Sequence, residues 1–374
     1  MAKKLKKNRI PNIKVVGVGG GGGNAVSRMT KSDLARHLEL IAINTDVQDL
    51  DHCLVKKRIY IGESLTKGLG TGMNPELGRQ AAEENRSEIV EALRDADLVF
   101  ITAGLGGGTG TGAAPIVAEA AREAGALTVA VVTKPFAFEG SQRIKIAQDG
   151  LARLKDKVDT LVVVPNDRIF GIIDKNTSLI KAFQAIDDVL RNAVQAVTEL
   201  LIIPGLVNVD FADIKAVMKD AGSAIIGVGV AAGGDRSLKA VTAAVNSSLL
   251  ELSIEGAKGV LFCVSGRDLK MAEINEIAKT ISETIDQGAK IIFGAYHDRK
   301  LKPGQLKVTL IATGFNGILA RPMTSLFASV DAEKIKVEPV LASFDKTSGS
   351  KTAKNQKQSS DIWDIPAFMR RLKR

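Results

Sequence analysis

Two glycine clusters, each placed directly after a short apolar run, constrain this 374-residue chain more than any other feature. The first spans Gly17–Gly23 and overlaps the end of Ile13–Val18 (IKVVGV). The second lies in AGLGGGTGTGAAP (Ala103–Pro115), holds six glycines and follows Leu98–Thr102. A short apolar run ending in glycine reads as a buried parallel strand feeding a helix. A tight turn needs one or two glycines, whereas six interleaved with threonines do more than turn the chain. Backbone N–H groups free of side chains can close on phosphate oxygens, and a helix N-terminus adds a partial positive charge. Thr109 and Thr111 can add hydroxyl donors, with Gly104–Gly112 as a loop and Pro115 in the first turn of the next helix. Two such loops at the carboxyl ends of neighbouring strands would form one polyphosphate site.

Further apolar runs at Leu40–Ile43, Thr128–Thr133 and Thr160–Val164 alternate with helical stretches such as Pro75–Ala92 and Ala114–Ala124. That alternation predicts an α/β domain with a mostly parallel sheet. From Thr177 to Leu201 the apolar residues Leu179, Phe183, Ile186, Leu190, Val194 and Val197 recur at helical spacing. This predicts one long helix, ended by the Pro204–Gly205 pair. A second α/β unit follows, with strands expected at Ile225–Ala231, Gly259–Val264, Lys290–Tyr296 and Leu306–Ala312. Residues 343–360 are polar and rich in Ser, Lys and Gln, the composition of a disordered linker, before IWDIPAFM (362–369) restores apolar character.

The net charge of +9 belongs to the ends of the chain. Residues 1–10 hold five cations and no acids, residues 331–374 hold ten cations against six acids, and the body between balances at 36 of each. A basic excess confined to tails argues for solubility or loose contact with an anionic surface, not for a nucleic-acid site. Cys53 and Cys263 are the only cysteines, with no CxxC pair, which suits a reducing cytosol. The start MAKKLKKNRIP lacks an apolar segment after its basic residues, and no run approaches the roughly 18 apolar residues of a membrane span. Direct membrane insertion is therefore not expected, and a cytoplasmic location is.

The motif Gly17-x-Gly19-x-x-Gly22, with Asp46 beyond it, also fits a dinucleotide site, so an NAD-dependent oxidoreductase is an alternative reading. The second loop disfavours it, as does the lack of a persuasive His or Tyr for a hydride site. No G-x-x-x-x-G-K-[ST] is present, so phosphate charge would be met by backbone amides, Mg²⁺ and Arg143.

VGVGGGGGNAV (16–26), NTD (44–46), TAGLGGGTGTGAAP (102–115), VVTKPFAFEG (131–140), VVPND (163–167) and NVDFAD (208–213) resemble, in order, the tubulin/FtsZ family of GTPases, and within it the FtsZ branch of bacterial cell division. The resemblance covers about residues 11–320 and the last dozen. It implies a Rossmann-like GTP-binding domain (11–175) after a basic extension (1–10), a central helix (176–203) and a GTPase-activating domain (204–320). A flexible linker (321–360) and a partner-binding tail helix (361–374) would follow. Gly20, Gly21, Gly22, Gly23 and Asn24, with Gly108, Thr109 and Gly110, match the phosphate contacts for GTP or GDP with Mg²⁺. Glu139 and Arg143 match the ribose and phosphate end. Asn166, Phe183 and Asp187 match the guanine pocket, where a carboxylate accepts from N1–H and the exocyclic amine while Phe183 stacks on the base.

Asp210 and Asp213 stand three apart at a helix start, a pattern that N-capping alone can explain. By the resemblance, they and Asn208 enter the nucleotide site of the next subunit and orient the attacking water. Hydrolysis would then require a head-to-tail homopolymer, assembled as a ring at the division site. The tail would dock membrane-tethering and regulatory division proteins through Ile362, Ile365, Phe368 and Met369. Departures from the family's pattern fall at Asn246–Ser248, at Phe262–Cys263 and in the basic segment 295–307. A tubulin-like filament protein with little hydrolysis is the other alternative.

Overall fold

The computed structural model describes residues 11–171, 173, 177–246 and 254–315. The basic extension 1–10, the linker 321–360 and the tail with Ile362, Ile365, Phe368 and Met369 lie outside the described residues.

Strand β1 (Ile13–Val18) runs into helix α1 (Gly19–Met29), and β2 (Leu38–Asn44) into the short α2 (Val47–Asp51). After β3 (Lys57–Tyr60) come α3 (Glu63–Thr66), α4 (Pro75–Glu84) and α5 (Arg86–Leu93). Strand β4 (Leu98–Gly104) leads to α6 (Thr109–Glu123) and β5 (Leu127–Lys134) to α7 (Ser141–Lys155). Then β6 (Thr160–Pro165) precedes the long α8 (Leu179–Ile202). The second half holds α9 (Phe211–Met218), β7 (Gly222–Ala232), α10 (Arg236–Val245) and β8 (Gly259–Gly266). It closes with α11 (Met271–Ser282), β9 (Lys290–His297) and β10 (Gln305–Thr313).

These strands form one ten-stranded sheet in the order β3-β2-β1-β4-β5-β6-β7-β10-β8-β9. Strands β1 to β7 are mutually parallel, β10 is antiparallel to β7 and β8, and β9 is parallel to β8. The mostly parallel α/β architecture expected from the sequence is thus what the chain adopts. Both faces are covered, as a parallel sheet requires. In β1, Ile13 and Val15 join the core under α1 and α8, while Val16 and Val18 join the core under α6. The first of these cores also takes in Leu261 of β8 and Ile311 of β10, packed with Val194 and Val197 of α8. At 1.5 Å per residue the 24 residues of α8 span about 36 Å, so one helix serves both halves of the sheet.

The structure corrects three local expectations. The helix expected over Pro75–Ala92 is two helices parted at Asn85, whose side-chain oxygen accepts from the Gly62 amide. The loop expected over Gly104–Gly112 is already helical from Thr109, and Pro115 sits inside α6 rather than in its first turn. Glycine's low helix propensity is overridden there by packing: a Cβ at Gly112 would overlap the Pro75 carbonyl, so only glycine lets α6 start against α4. Strand β3, only four residues long, gave no usable sequence pattern.

In the second half, the buried Arg236 donates to both carboxylate oxygens of Glu273 and to Asp268. Its hydrogen bonds hold the Glu273 and Asp268 carboxyls below their usual range. A carboxyl depressed on folding stabilises above its unfolded value, near 4.3 for Glu, and loses that contribution as pH falls through the folded value. Arg236→Met is expected to cost about 3 kcal/mol at neutral pH, the lower end for breaking a buried pair. That deficit should shrink below about pH 4, read by urea unfolding across pH.

Candidate functional site

Strands β1 and β4 are neighbours, with Val18 opposite Ala103, so their carboxyl ends bring the two glycine clusters together. Helices α1 and α6 start there, and neither has a side-chain cap: the residues before them are Val18 and Gly108. Their first amides are therefore left for a ligand, and both helix dipoles favour an anion. The loops touch closely enough to demand glycine. A Cβ on Gly19, whose φ is +70°, would lie 2.9 Å from the Gly110 nitrogen, and one on Gly110 would lie 2.7 Å from the Gly104 carbonyl. A Cβ on Gly21 would come within 3.4 Å of the Gly104 nitrogen, and one on Gly22 would overlap the Thr102 carbonyl. By contrast, Gly23 and Gly107 face open space. Gly20, Gly23, Asn24, Asn44 and Asp49 border a narrow cleft at the start of α1.

The threonines behave differently from the expectation. The Thr109 hydroxyl is bonded to Thr45 at 2.7 Å and Thr71 at 3.2 Å, and Thr111 accepts from the Gly106 amide at 2.9 Å. Both hydroxyls are buried and brace the loop, so Thr109 offers a ligand its backbone amide rather than its side chain.

Thr71 belongs to a third glycine loop that has no counterpart among the sequence expectations. Lys67, Gly68, Gly70, Gly72 and Met73 all have positive φ, and a Cβ on Gly108 would overlap Thr71. Its Gly-x-Gly-x-Gly spacing was a visible signal.

At the carboxyl end of β6, Asn166 is 8% exposed, and its Oδ1 has no hydrogen-bond partner among the described residues. A buried orphan of this kind calls for a ligand or water. Phe183 packs in a small cluster with Phe136, Ile169 and Ile186, its ring edge-on to Phe136 at 5.7 Å. Four residues on, the Asp187 carboxylate accepts from Arg28 Nε of α1 at 2.9 Å. Arg28 carries no motif that marks it, and only the fold brings it to α8.

Glu139 and Arg143 form an ion pair with each other, and the other Glu139 oxygen accepts from the Phe136 amide at 2.9 Å. These two are matched to each other as much as to any ligand. The side chains present suit a nucleoside phosphate: uncapped helix starts, an open glycine cradle and an orphaned amide oxygen. Among the described residues no group of three or more His, Cys, Asp or Glu could hold a metal ion.

Asn208, Asp210 and Asp213 are not brought to this site. The two acids share a reciprocal capping box at the start of α9: Asp213 N donates to Asp210 Oδ1 at 2.8 Å, and Asp210 N to Asp213 Oδ2 at 3.3 Å. Asn208 Oδ1 accepts from the Gly205 amide at 2.6 Å. The chain reaches them only after α8 has run on from Asp187 for about 22 Å of helix.

Fold and site together define an α/β protein in which two glycine-rich helix starts meet at the carboxyl ends of neighbouring parallel strands, an arrangement suited to a nucleotide's phosphates. Residues 12–174 match the GTPase domain of the tubulin/FtsZ family, and residues 222–316 match the C-terminal domain of the FtsZ family. An empty FtsZ dimer from M. jannaschii is 47% identical, with a TM-score of 0.77 over 83% of this chain and 90% of that one. A point mutant of M. jannaschii FtsZ is likewise 47% identical, with a TM-score of 0.75 over 82% of this chain and 91% of that one. CetZ2 from Haloferax volcanii, a GTPγS-bound protofilament, shares the fold at 21% identity and TM-score 0.70, over 83% and 95%. The chain belongs to the tubulin/FtsZ family, with the FtsZ-type C-terminal domain.

With that family shown, the oxidoreductase alternative falls. Asp46, which it placed at a ribose, caps α2 through the Gln48 and Asp49 amides. Among the described residues no helix is long and apolar enough to cross a membrane.

Proposed function

We propose that this chain is a GTPase that assembles head-to-tail into filaments and hydrolyses GTP at the junction between subunits. The observation that carries the reading is that the stretch of α8 running on from Asp187 stands between the glycine loops and Asp210 and Asp213. Two acids that cannot reach their own site can serve the site of a second copy. Each uses one oxygen in the capping box and keeps the other, and Asp210 is exposed. Apolar side chains suited to a junction stand exposed beside both parts: Leu69 (73%) and Phe138 (66%) near the loops, and Leu206 (75%) beside Asn208. A contact joining unlike faces extends into an open filament.

In this reading Gly20–Asn24 and the amides of Gly108–Gly110 hold the phosphates. Asn166, Phe183 and Asp187 select the base, and Glu139 with Arg143 holds the ribose and phosphate end. GTP would bring the γ-phosphate, and Mg²⁺ held by its phosphates rather than by a cluster of side chains would neutralise part of their charge. Asp210 and Asp213 of the adjacent subunit, steadied with Asn208, accept hydrogen bonds from the attacking water and align it. Phosphoryl transfer depends mainly on such positioning and electrostatics. The filament would act in cell division, in the cytoplasm at the division site, with the tail 361–374 as its adaptor-binding segment. The FtsZ and CetZ relatives named above are archaeal, so they lend the bacterial setting no support.

Phosphate release from Mg·GTP, followed with light scattering over a range of protein concentrations, tests this. The specific rate should be near zero below a threshold and rise with assembly. A rate independent of concentration would mean that each monomer is catalytically complete and would overturn the shared site.

A further inference from the structure

The last turn of α8 carries a buried charge that none of the roles above uses. Glu199 is 7% exposed and its carboxylate takes three donors. Gln195 Nε2 lies 2.6 Å from Oε1, while the Tyr296 hydroxyl at 2.9 Å and Lys307 Nζ at 2.8 Å both meet Oε2. Burial pushes the Glu199 carboxyl up, but Lys307, Gln195 and Tyr296 outweigh it and hold the group below its usual range. The three partners come from α8, β9 and β10, so one carboxylate fastens the end of the long helix to the second half of the sheet.

Stability alone is a poor reason to keep such a cluster. A buried ion pair replaced by well-packed apolar groups is often no less stable, because desolvation cancels much of the attraction. Its position offers another reason. Directly after α8 the chain crosses to β9, where the amides of Leu206 and Val207 donate to the Ala295 carbonyl at 2.7 and 3.1 Å. The Ala295 amide donates back to Val207 at 3.0 Å. Ala295 is the residue before Tyr296, and Val207 is the residue before Asn208. Segment 203–209 is thus held from the helix side by Glu199 and from the strand side by Ala295, and the Glu199–Tyr296 bond closes the triangle. Asp210 is the next residue after that segment.

We infer that Glu199, Tyr296 and Lys307 are positioning residues that set where Asn208, Asp210 and Asp213 stand relative to the body of the subunit. They thereby tune turnover at the neighbouring subunit's nucleotide. The inference rests on the role proposed for Asp210 and Asp213. A misplacement of about 1 Å in a catalytic constellation can cost on the order of a hundredfold in rate, so loosening one side of this triangle is expected to act on turnover first.

The test uses Tyr296→Phe, which removes one hydroxyl, and the pair Lys307→Met and Lys307→Arg, all in the full chain. Phosphate release per sedimented subunit should fall about three- to tenfold in Tyr296→Phe and further in Lys307→Met, and Lys307→Arg should restore most of it. Meanwhile GTP affinity of the unassembled chain and its melting temperature should stay close to the parent for Tyr296→Phe and Lys307→Arg.

Turnover per sedimented subunit unchanged in Tyr296→Phe and Lys307→Met, while Asp210→Asn is inactive, overturns the positioning role and leaves the shared site standing. Loss of turnover that only tracks loss of melting temperature and GTP affinity also overturns it, since the cluster would then be structural. An active Asp210→Asn would remove the premise itself, and both readings would go.

Discussion

Asp210→Asn is expected to abolish GTP turnover, by about a hundredfold or more, while the unassembled chain binds GTP within about twofold of the parent. The substitution suits the question because asparagine caps a helix about as well as aspartate, so the start of α9 should survive. What disappears is the negative charge that accepts from and aligns water. Removing one preorganised electrostatic group from a site of this kind costs about two to three powers of ten, roughly 3 to 4 kcal/mol of barrier. Binding should not follow, because Asp210 lies beyond the end of α8 from the loops of its own chain. Phosphate release and titration with a fluorescent GTP analogue separate the two quantities. Parent-like turnover, or loss of binding along with turnover, would each defeat the role assigned to Asp210.

The second large effect concerns the phosphate cradle and pairs two glycines that differ only in what a methyl group would meet. In Gly110→Ala the new Cβ would press on the Gly104 carbonyl and the Val18 carbonyl, at 2.7 and 3.4 Å, so the two loops must part. Overpacking of this sort costs about 1 to 3 kcal/mol, and the parted loops should lose GTP affinity by about a hundredfold. In Gly23→Ala the Cβ enters open space, and the residue is already helical within α1. Alanine is the better helix former by up to about 1 kcal/mol, so the ligand-free chain should melt no lower than the parent. GTP affinity should nevertheless drop about tenfold or more, because the methyl occupies the space the phosphates need. Calorimetric melting and GTP titration give both readings. A Gly23→Ala chain that binds GTP as well as the parent would show that the open space beside α1 is not the cradle.

How far the site was legible follows from the kind of signal each part leaves in the chain. The glycine loops were legible because backbone closeness excludes every other residue, and that exclusion is written in the sequence at Gly19, Gly22 and Gly110. The long helix was legible because its apolar residues repeat at the helical period, and α8 starts and ends within two residues of the expected span. Periodicity was no help with Thr109 and Thr111. Their spacing suggests ligand donors, but the hydroxyls close bonds inside the loop. Nor did any local pattern announce Arg28, 159 positions from the Asp187 it bonds. As a pair, Glu139 and Arg143 were singled out only by the family resemblance, and the ion pair they form with each other is visible only in the fold.

By itself the sequence determined the alternation of strand and helix, the two glycine loops and the apolar stripe of α8. Each is recorded in neighbours along the chain, through glycine's missing side chain or the repeat of buried positions. Only the tertiary structure decided that β7 continues the sheet from β6, so that one core runs beneath α8 through both halves. Only there does Asn166 become a buried oxygen without a partner, and Glu199 the tie between helix and sheet. The same folding places Asp210 and Asp213 away from the loops they are proposed to serve. Contacts between residues a hundred positions apart depend on where whole elements pack, and no local pattern carries that information.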